Sequence, residues 1–160
     1  MAGRKAAPLA DVGVILATTL DPARFPDGVR AGVSAAAGPD RSWSEARTAL
    51  RFATSRRPVV HFDELGALAL LAQVPPEAAR DNADVAALAR VAGTPEDVET
   101  LDVYCATGSL RRAADLLHLH HSSVARRLDQ IGKALGIELG EPTGLLRARL
   151  ALTAWRLLDE

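Results

Sequence analysis

The sequence has a single cysteine, Cys105, only six aromatic residues of the Phe, Trp and Tyr type, and a net formal charge of −1 over 160 residues. One thiol cannot form an intramolecular disulfide or a paired-cysteine zinc cluster, which fits a reducing cytoplasm. Aromatics at 4% leave the core to Ala, Leu and Val, a composition that favours closely packed helices over a β-sandwich. The longest apolar runs, such as Ala67–Ala72, fall far short of the ~20 residues a membrane span requires. No membrane partner is expected. The basic start Met1–Lys5 is followed by Pro8 and Asp11, so it lacks the continuous apolar stretch of a secretory leader. With 48% hydrophobic and 24% charged residues, the chain has the balance of a folded globular protein, with room for one ordinary domain or two small ones.

The near-zero charge argues against a nucleic-acid partner only until it is resolved along the chain. Residues 1–57 carry nine basic and five acidic residues, whereas residues 58–108 carry two and nine. From Ser109 to Arg156 there are eight basic residues against four acidic, a local excess of +4. An acidic middle separates two basic ends.

Val12–Leu20, apolar and bounded by Asp11 and Asp21-Pro22, reads as a buried strand. Val29–Ser34 is a second short strand, and Ser42–Thr54 a helix with Ser42 and Glu45 at capping-box spacing and Trp43, Ala46, Leu50 and Ala53 on one face. Pro58–Phe62 reads as a strand and Asp63–Gln73 as a helix ended by Pro75-Pro76. The alanine-rich passage 74–94 reads as a connector with one short helix around Asp84–Val91. From Pro95 onward every periodic segment is helical. Thr94 is the expected N-cap of a helix that ends at the natural left-handed C-cap, Gly108.

The next segment carries the most information. Ser109 caps a short helix with Leu110, Ala113, Ala114 and Leu117 on one face and Arg111, Arg112 and Asp115 directed away. The turn His118-Leu119-His120 leads into a second amphipathic helix, His121–Leu135, ended by Gly136. Two short helices joined by a tight turn, with small residues at the crossing, match a helix-turn-helix. On the second helix, ~100° per residue gathers Val124, Leu128, Ile131 and Leu135 on one side. Ser122, Arg126, Gln130 and Lys133 lie opposite, with Ser123 and Arg127 on the flank. Short hydroxyls at the N-terminal end followed by guanidinium groups suit a helix that enters the major groove. The bland alternative is a solvated polar face, which is common on amphipathic helices.

The stretch GSLRRAADLLHLHHSSVARRLDQIGKALG, Gly108–Gly136, resembles the C-terminal helix-turn-helix of the PucR/CdaR family of bacterial transcriptional regulators. The resemblance runs upstream through DVETLDVYCAT and downstream through LLRARLALTAWRLL, covering about Glu96–Leu158. The family usually has Arg-Asn-Thr where this chain has His121-Ser122-Ser123, and Tyr at the position of Arg126, while Arg127 matches the family's Arg. These departures lie on or beside the outward face and bear on base preference rather than on the fold. More weakly, SWSEARTALRFA followed by PVVHFDELGALALLA resembles the last helix, strand and helix of the GGDEF-like domain that precedes this module in many members. No GGDEF signature occurs, so nucleotide cyclisation is not implied. The chain is much shorter than a typical member, which implies a fragment or a reduced form.

His118, His120 and His121 with Cys105 lack Cys-x-x-Cys or His-x-x-x-His spacing, so no metal or other cofactor is expected. His118 and His120 are expected to cap or pack at the turn and Cys105 to be a small buried hydrophobe. Adjacent Asp63 and Glu64 are explained by a helix dipole, and no catalytic arrangement emerges. The last helix, Leu145–Leu158, has Leu146, Leu150 and Leu157 on one face and Leu145, Ala148, Leu152 and Trp155 on much of the other. One side covers the helix-turn-helix; the second is open to the α/β half or to a second subunit.

The expected fold class is α+β, with a small mixed α/β N-terminal part (1–73), a connector (74–94) and an all-α helix-turn-helix domain (95–160). The expected partner is double-stranded DNA, with Ser122, Ser123, Arg126 and Gln130 toward base edges and Arg111, Arg112, His121, Arg127 and Lys133 toward phosphates; a homodimer would read two half-sites. The rival class is a protein-interaction or dimerisation module without DNA binding. A ligand sensor is a third reading, and no residue cluster in the first half identifies an effector.

Overall fold

A computed structural model describes residues 5–9, 12–17, 19–21 and 25–158. Asp11, Pro22 and the basic start, residues 1–4, lie outside that set, as do Asp159 and Glu160. The fold is α+β, helical throughout its C-terminal half.

The chain opens with an antiparallel ribbon of β1 (Lys5–Leu9) and β2 (Val12–Leu16), in which Pro8 pairs with Gly13 and Leu9 with Val12. The expected strand is present but shorter, and it is not buried. Ile15 and Leu16 are 43% and 63% exposed, because a two-stranded ribbon has no second layer of its own to cover its faces.

A β-α-β unit follows: β3 (Ala31–Val33), α1 (Pro39–Arg51) and β4 (Val59–His61), with the two strands parallel and Ala31 beside Val59. Gly32 allows α1 to lie on β3, since a Cβ there would sit 2.0 Å from the Ala46 carbonyl oxygen. The core beneath consists of Ala49, Ala53, Val60 and Leu65, with Leu50, Phe52, Phe62, Leu68 and Ala69 against it. Helix α1 starts three residues before the expected cap. Gly38 is its N-cap and Pro39 occupies the first turn, where a missing N–H costs nothing. Ser42 is inside the helix and donates to the Ala36 carbonyl at 2.6 Å. Glu45, instead of closing a capping box, accepts from Ser34 Oγ at 2.6 Å and from Arg41 Nε at 2.7 Å. Hydrogen bonds from Ser34 and Arg41 hold its carboxyl below the usual range.

The helix expected over Asp63–Gln73 is instead two 3-10 segments, Phe62–Glu64 and Gly66–Gln73. Leu65 lies between them, and Gly66, the first residue of the second segment, takes φ +52, a left-handed conformation that interrupts an α-helical path. Two α-helices, α2 (Pro76–Arg80) and α3 (Ala83–Val91), occupy the passage read as a connector. Asn82 caps α3, its Oδ1 accepting from the N–H groups of Asp84 and Val85 at 3.0 and 3.2 Å. Val85, Ala87 and Leu88 of α3 are buried in the same core as the C-terminal helices.

That core is built by α3 with α4 (Pro95–Thr107), α5 (Leu110–Leu117), α6 (His121–Leu135) and α7 (Pro142–Arg156). Leu88, Leu101, Val103, Val124 and Ile131 are almost fully enclosed, each contributing about 1.5–3 kcal/mol of burial. Thr94 precedes α4 as expected but its side chain makes no capping bond; Pro95 and the acidic Glu96 and Asp97 fill the first turn. Helix α7 begins at Pro142, earlier than expected. Its Ala148, Leu152 and Ala151 are buried, as is Leu157 just beyond it, whereas Leu146 and Leu150 are 56% and 37% exposed. Arg51 of α1 ties the two halves, donating to the Leu157 carbonyl at 3.0 Å and to the Ala72 carbonyl at 3.2 Å. Arg56 adds an ion pair to Glu99 of α4 at 2.6 Å.

Candidate nucleic-acid interface

Helix α4 ends as its sequence dictates: Gly108 takes φ +61 and its N–H donates to the Tyr104 carbonyl at 2.8 Å. Ser109 then caps α5, its Oγ accepting from the Arg112 N–H at 3.4 Å. Ala113 and Ala114 are buried at the crossing, and small side chains there let α5 approach its neighbours. Leu110 and Leu117 pack partly buried against the core while Arg111 and Arg112 are exposed.

The turn is closed by two histidines with separate jobs. His118 sits at φ +53, and among the described residues it is the non-glycine residue with positive φ. Its N–H donates to the Asp115 carbonyl at 3.3 Å and the Leu119 N–H to the Ala114 carbonyl at 3.0 Å. This is a Schellman closure with histidine where glycine is usual. Leu119 packs against the core, which fixes the angle at which α6 departs. His120 is the N-cap of α6, and its Nδ1 accepts from the Ser122 N–H at 3.4 Å.

Helix α6 buries Val124, Leu128, Ile131 and Leu135, as its periodicity requires. Ser122, Arg126, Gln130 and Lys133 are all exposed on the other side, and Ser123 is half-buried. The side chains of Arg126 and Gln130, and of Arg111 and Arg112 on α5, make no hydrogen bond or ion pair among the described residues. Their donors are available to a partner. Lys133 pairs with Asp129 at 2.7 Å, a contact one helical turn apart on the surface, and that pairing raises its pKa. His121 is exposed, its ring 4.2 Å from that of His120.

Arg127 is placed differently from the rest of the set. Its Nη1 donates to Thr100 Oγ1 at 3.2 Å and to the Glu96 carbonyl at 3.4 Å, and its Nε lies 3.9 Å from Asp97 Oδ1. The guanidinium is turned onto the first turns of α4 and only 26% exposed. Thr100, fully buried, gives its own proton to the Glu96 carbonyl at 2.6 Å. Sequence reasoning missed Thr100 and Asp97 as partners, although the acidic first turn of α4 was the available signal.

A shallow groove of about 480 Å³ runs along the C-terminal half of α6, lined by Tyr104, Leu110, Leu128, Gly132, Ile137 and Leu139 among others. Cys105 is buried, as expected for a small hydrophobe. Among the described residues no group of histidines, cysteines and carboxylates is disposed to hold a metal ion, and no helix is long and apolar enough to cross a membrane.

Two helices joined by a three-residue turn thus present an exposed outward face on which Arg126, Gln130, Arg111 and Arg112 have no side-chain partner among the described residues, while Ser122 is bonded to His120 and Lys133 to Asp129. Residues 98–154 match the family model of the PucR C-terminal helix-turn-helix domain. The PucR-type domain thus takes in α4 from Val98, all of α5 and α6, and α7 as far as Ala154. Helix α3, which completes the core under this PucR-type domain, lies outside the matched residues. No curated protein and no solved structure matches the chain.

Proposed function

We propose that the chain is a sequence-specific DNA-binding transcription regulator of the PucR/CdaR type, acting in the cytoplasm and using α6 as its recognition helix. The observation that carries this reading is the PucR-type match over 98–154 together with Arg126, Gln130, Arg111 and Arg112 exposed and unpaired on the outward surface. Ser122, Ser123, Arg126 and Gln130 face base edges; Arg111, Arg112, His121 and Lys133 meet phosphates, with Arg127 adding charge from the flank. The positive N-terminal end of α6 favours a phosphate as well. No enzymatic step is assigned to this domain. We also read α1, β4 and the 3-10 segments that follow as the end of a GGDEF-like domain, a reading supported by the order helix, strand, helical segment although the last element is 3-10.

A local excess of +4 between Ser109 and Arg156 supplies a small phosphate footprint. Tight binding therefore calls for two copies on two half-sites, the arrangement usual for helix-turn-helix proteins. The test is selection of bound duplexes from a random pool, followed by titration of the winner at several salt concentrations. An enriched motif whose affinity falls steeply with salt supports the reading. Absence of enrichment and of salt-dependent retention would overturn it in favour of a protein-interaction module.

A further inference from the structure

We infer that His120 sets the hydrogen-bonding polarity of Ser122 and so decides which bases that serine accepts, an inference that rests on the DNA-binding reading above. His120 Nδ1 lies 2.8 Å from Ser122 Oγ and 3.4 Å from the Ser122 backbone nitrogen. A backbone N–H can only donate. Nδ1 must therefore carry a bare lone pair, which places the ring proton on Nε2.

The direction of the second bond follows. With Nδ1 bare, the contact to Oγ exists only if the Ser122 hydroxyl gives its proton to the ring. The hydroxyl has one proton, and with that proton committed, its outward oxygen can only accept. Ser122 is exposed at the first turn of α6, where a major-groove helix touches base edges. In that groove an acceptor is met by the amino groups of adenine and cytosine, whereas guanine and thymine offer acceptors at the equivalent edge. The base facing Ser122 is thus adenine or cytosine. His120 is a positioning residue here: it touches no base, and it acts through the serine proton.

The neighbours leave this arrangement room. The ring of His121 lies beside that of His120, centroids 4.2 Å apart and tilted by 39°, with no hydrogen bond between the two. The described residues give no other hydrogen bond to Nδ1.

Two measurements test the inference. Nitrogen NMR of the free full chain should show His120 as the Nε2–H tautomer with unprotonated Nδ1; an Nδ1–H tautomer overturns the inference whatever DNA does. Random-pool selection is then run with the wild type, Ser122→Ala, His120→Ala and His120→Asn, each checked for folding by circular dichroism. Asparagine retains a side-chain acceptor at the cap. The wild type and His120→Asn should favour adenine or cytosine by about tenfold at one position. Ser122→Ala and His120→Ala should lose that preference there and keep the rest of the motif. A motif that is unchanged by every His120 variant overturns the inference and leaves DNA binding standing. A wild type that enriches nothing overturns both, and the tautomer then shows separately whether the His120–Ser122 bond exists.

Discussion

Arg127 of α6 donates a 3.2 Å hydrogen bond to Thr100 Oγ1 of α4, and this bond links the second helix of the helix-turn-helix to the helix behind it. Thr100 is fully buried and its proton is already given to the Glu96 carbonyl. The same guanidinium reaches the acidic first turn of α4, where Asp97 lies 3.9 Å from Nε. Two arginines adjacent in sequence therefore do different work: Arg126 is exposed and unpaired among the described residues, and Arg127 fastens the scaffold.

Replacing each arginine by alanine should separate those roles. Arg127→Ala removes a charge-assisted bond to a buried hydroxyl and should cost about 1.5–3 kcal/mol of stability. Arg126→Ala should change stability by no more than ~0.5 kcal/mol, while lowering DNA affinity by about 1–3 kcal/mol and relaxing the base preference at one position. Chemical denaturation and salt-dependent DNA titration of both variants check this. Equal stability losses would show that the α4 contact has no special weight.

The histidine that closes α5 offers a stabilising substitution. His118 is held at φ +53 and ψ +37, a left-handed conformation that costs an L-residue roughly 1–2 kcal/mol. Glycine adopts it without a Cβ clash, though it loses more freedom on folding. His118→Gly should therefore raise stability by about 0.5–1 kcal/mol, read as a higher denaturation midpoint at unchanged slope. A lower midpoint would mean that the imidazole makes a contact worth more than the backbone strain.

What could be read from sequence depended on whether the deciding signal was local. Gly108, Ser109 and Gly136 announce helix ends through their own backbone and side-chain chemistry, and the apolar spacing of Val124, Leu128, Ile131 and Leu135 fixes the buried face of α6. The exposure of Ser122, Arg126, Gln130 and Lys133 follows from that face. Ser42 misled because serine can bond to many nearby carbonyls, and here it chooses Ala36 over a capping role. The exposure of Ile15 and Leu16 was invisible for another reason: an apolar run does not reveal whether a second layer will cover it. The turn of Arg127 toward Thr100 required knowing how α4 crosses α6, which is a property of tertiary packing.

The ion pair between α3 and α7 gives the fold an acid-sensitive link. Arg147 donates to both oxygens of Asp84, at 2.9 and 2.7 Å, and this hydrogen bonding lowers the Asp84 pKa below its ordinary 3.8. A carboxyl with a depressed folded pKa adds stability above the unfolded pKa and loses it as pH falls through the folded value. Arg147→Ala should thus lower stability measurably near neutral pH, though modestly, because the pair is partly exposed and screened by solvent. The gap between variant and wild type should hold down to roughly pH 5 and close progressively below pH 4. Thermal melts of both proteins from pH 7 to pH 2 test the sign; a gap that widens in acid would contradict it.

Cys105 gives a probe of opening in the helical core. Burial, with Asp102 nearby, pushes its thiol pKa up to about 12, and the side chain is 7% exposed. Only the thiolate attacks alkylating reagents or disulfides. A shift of that size reduces the thiolate population at pH 8 by roughly a thousandfold relative to an ordinary thiol, and burial slows reagent access further. Native protein should react with iodoacetamide at a rate limited by opening of the core, whereas unfolded protein in guanidinium chloride should react as a free thiol does. Because Cys105 packs with Val103 and Leu101 of α4 in the core shared with α3, α6 and α7, its protection reports on the same unit that carries the recognition helix. DNA that binds the folded domain should slow labelling in proportion to its occupancy, since a ligand of the native state reduces the open population by mass action. Rapid labelling of the native protein at pH 8 would place Cys105 outside that core.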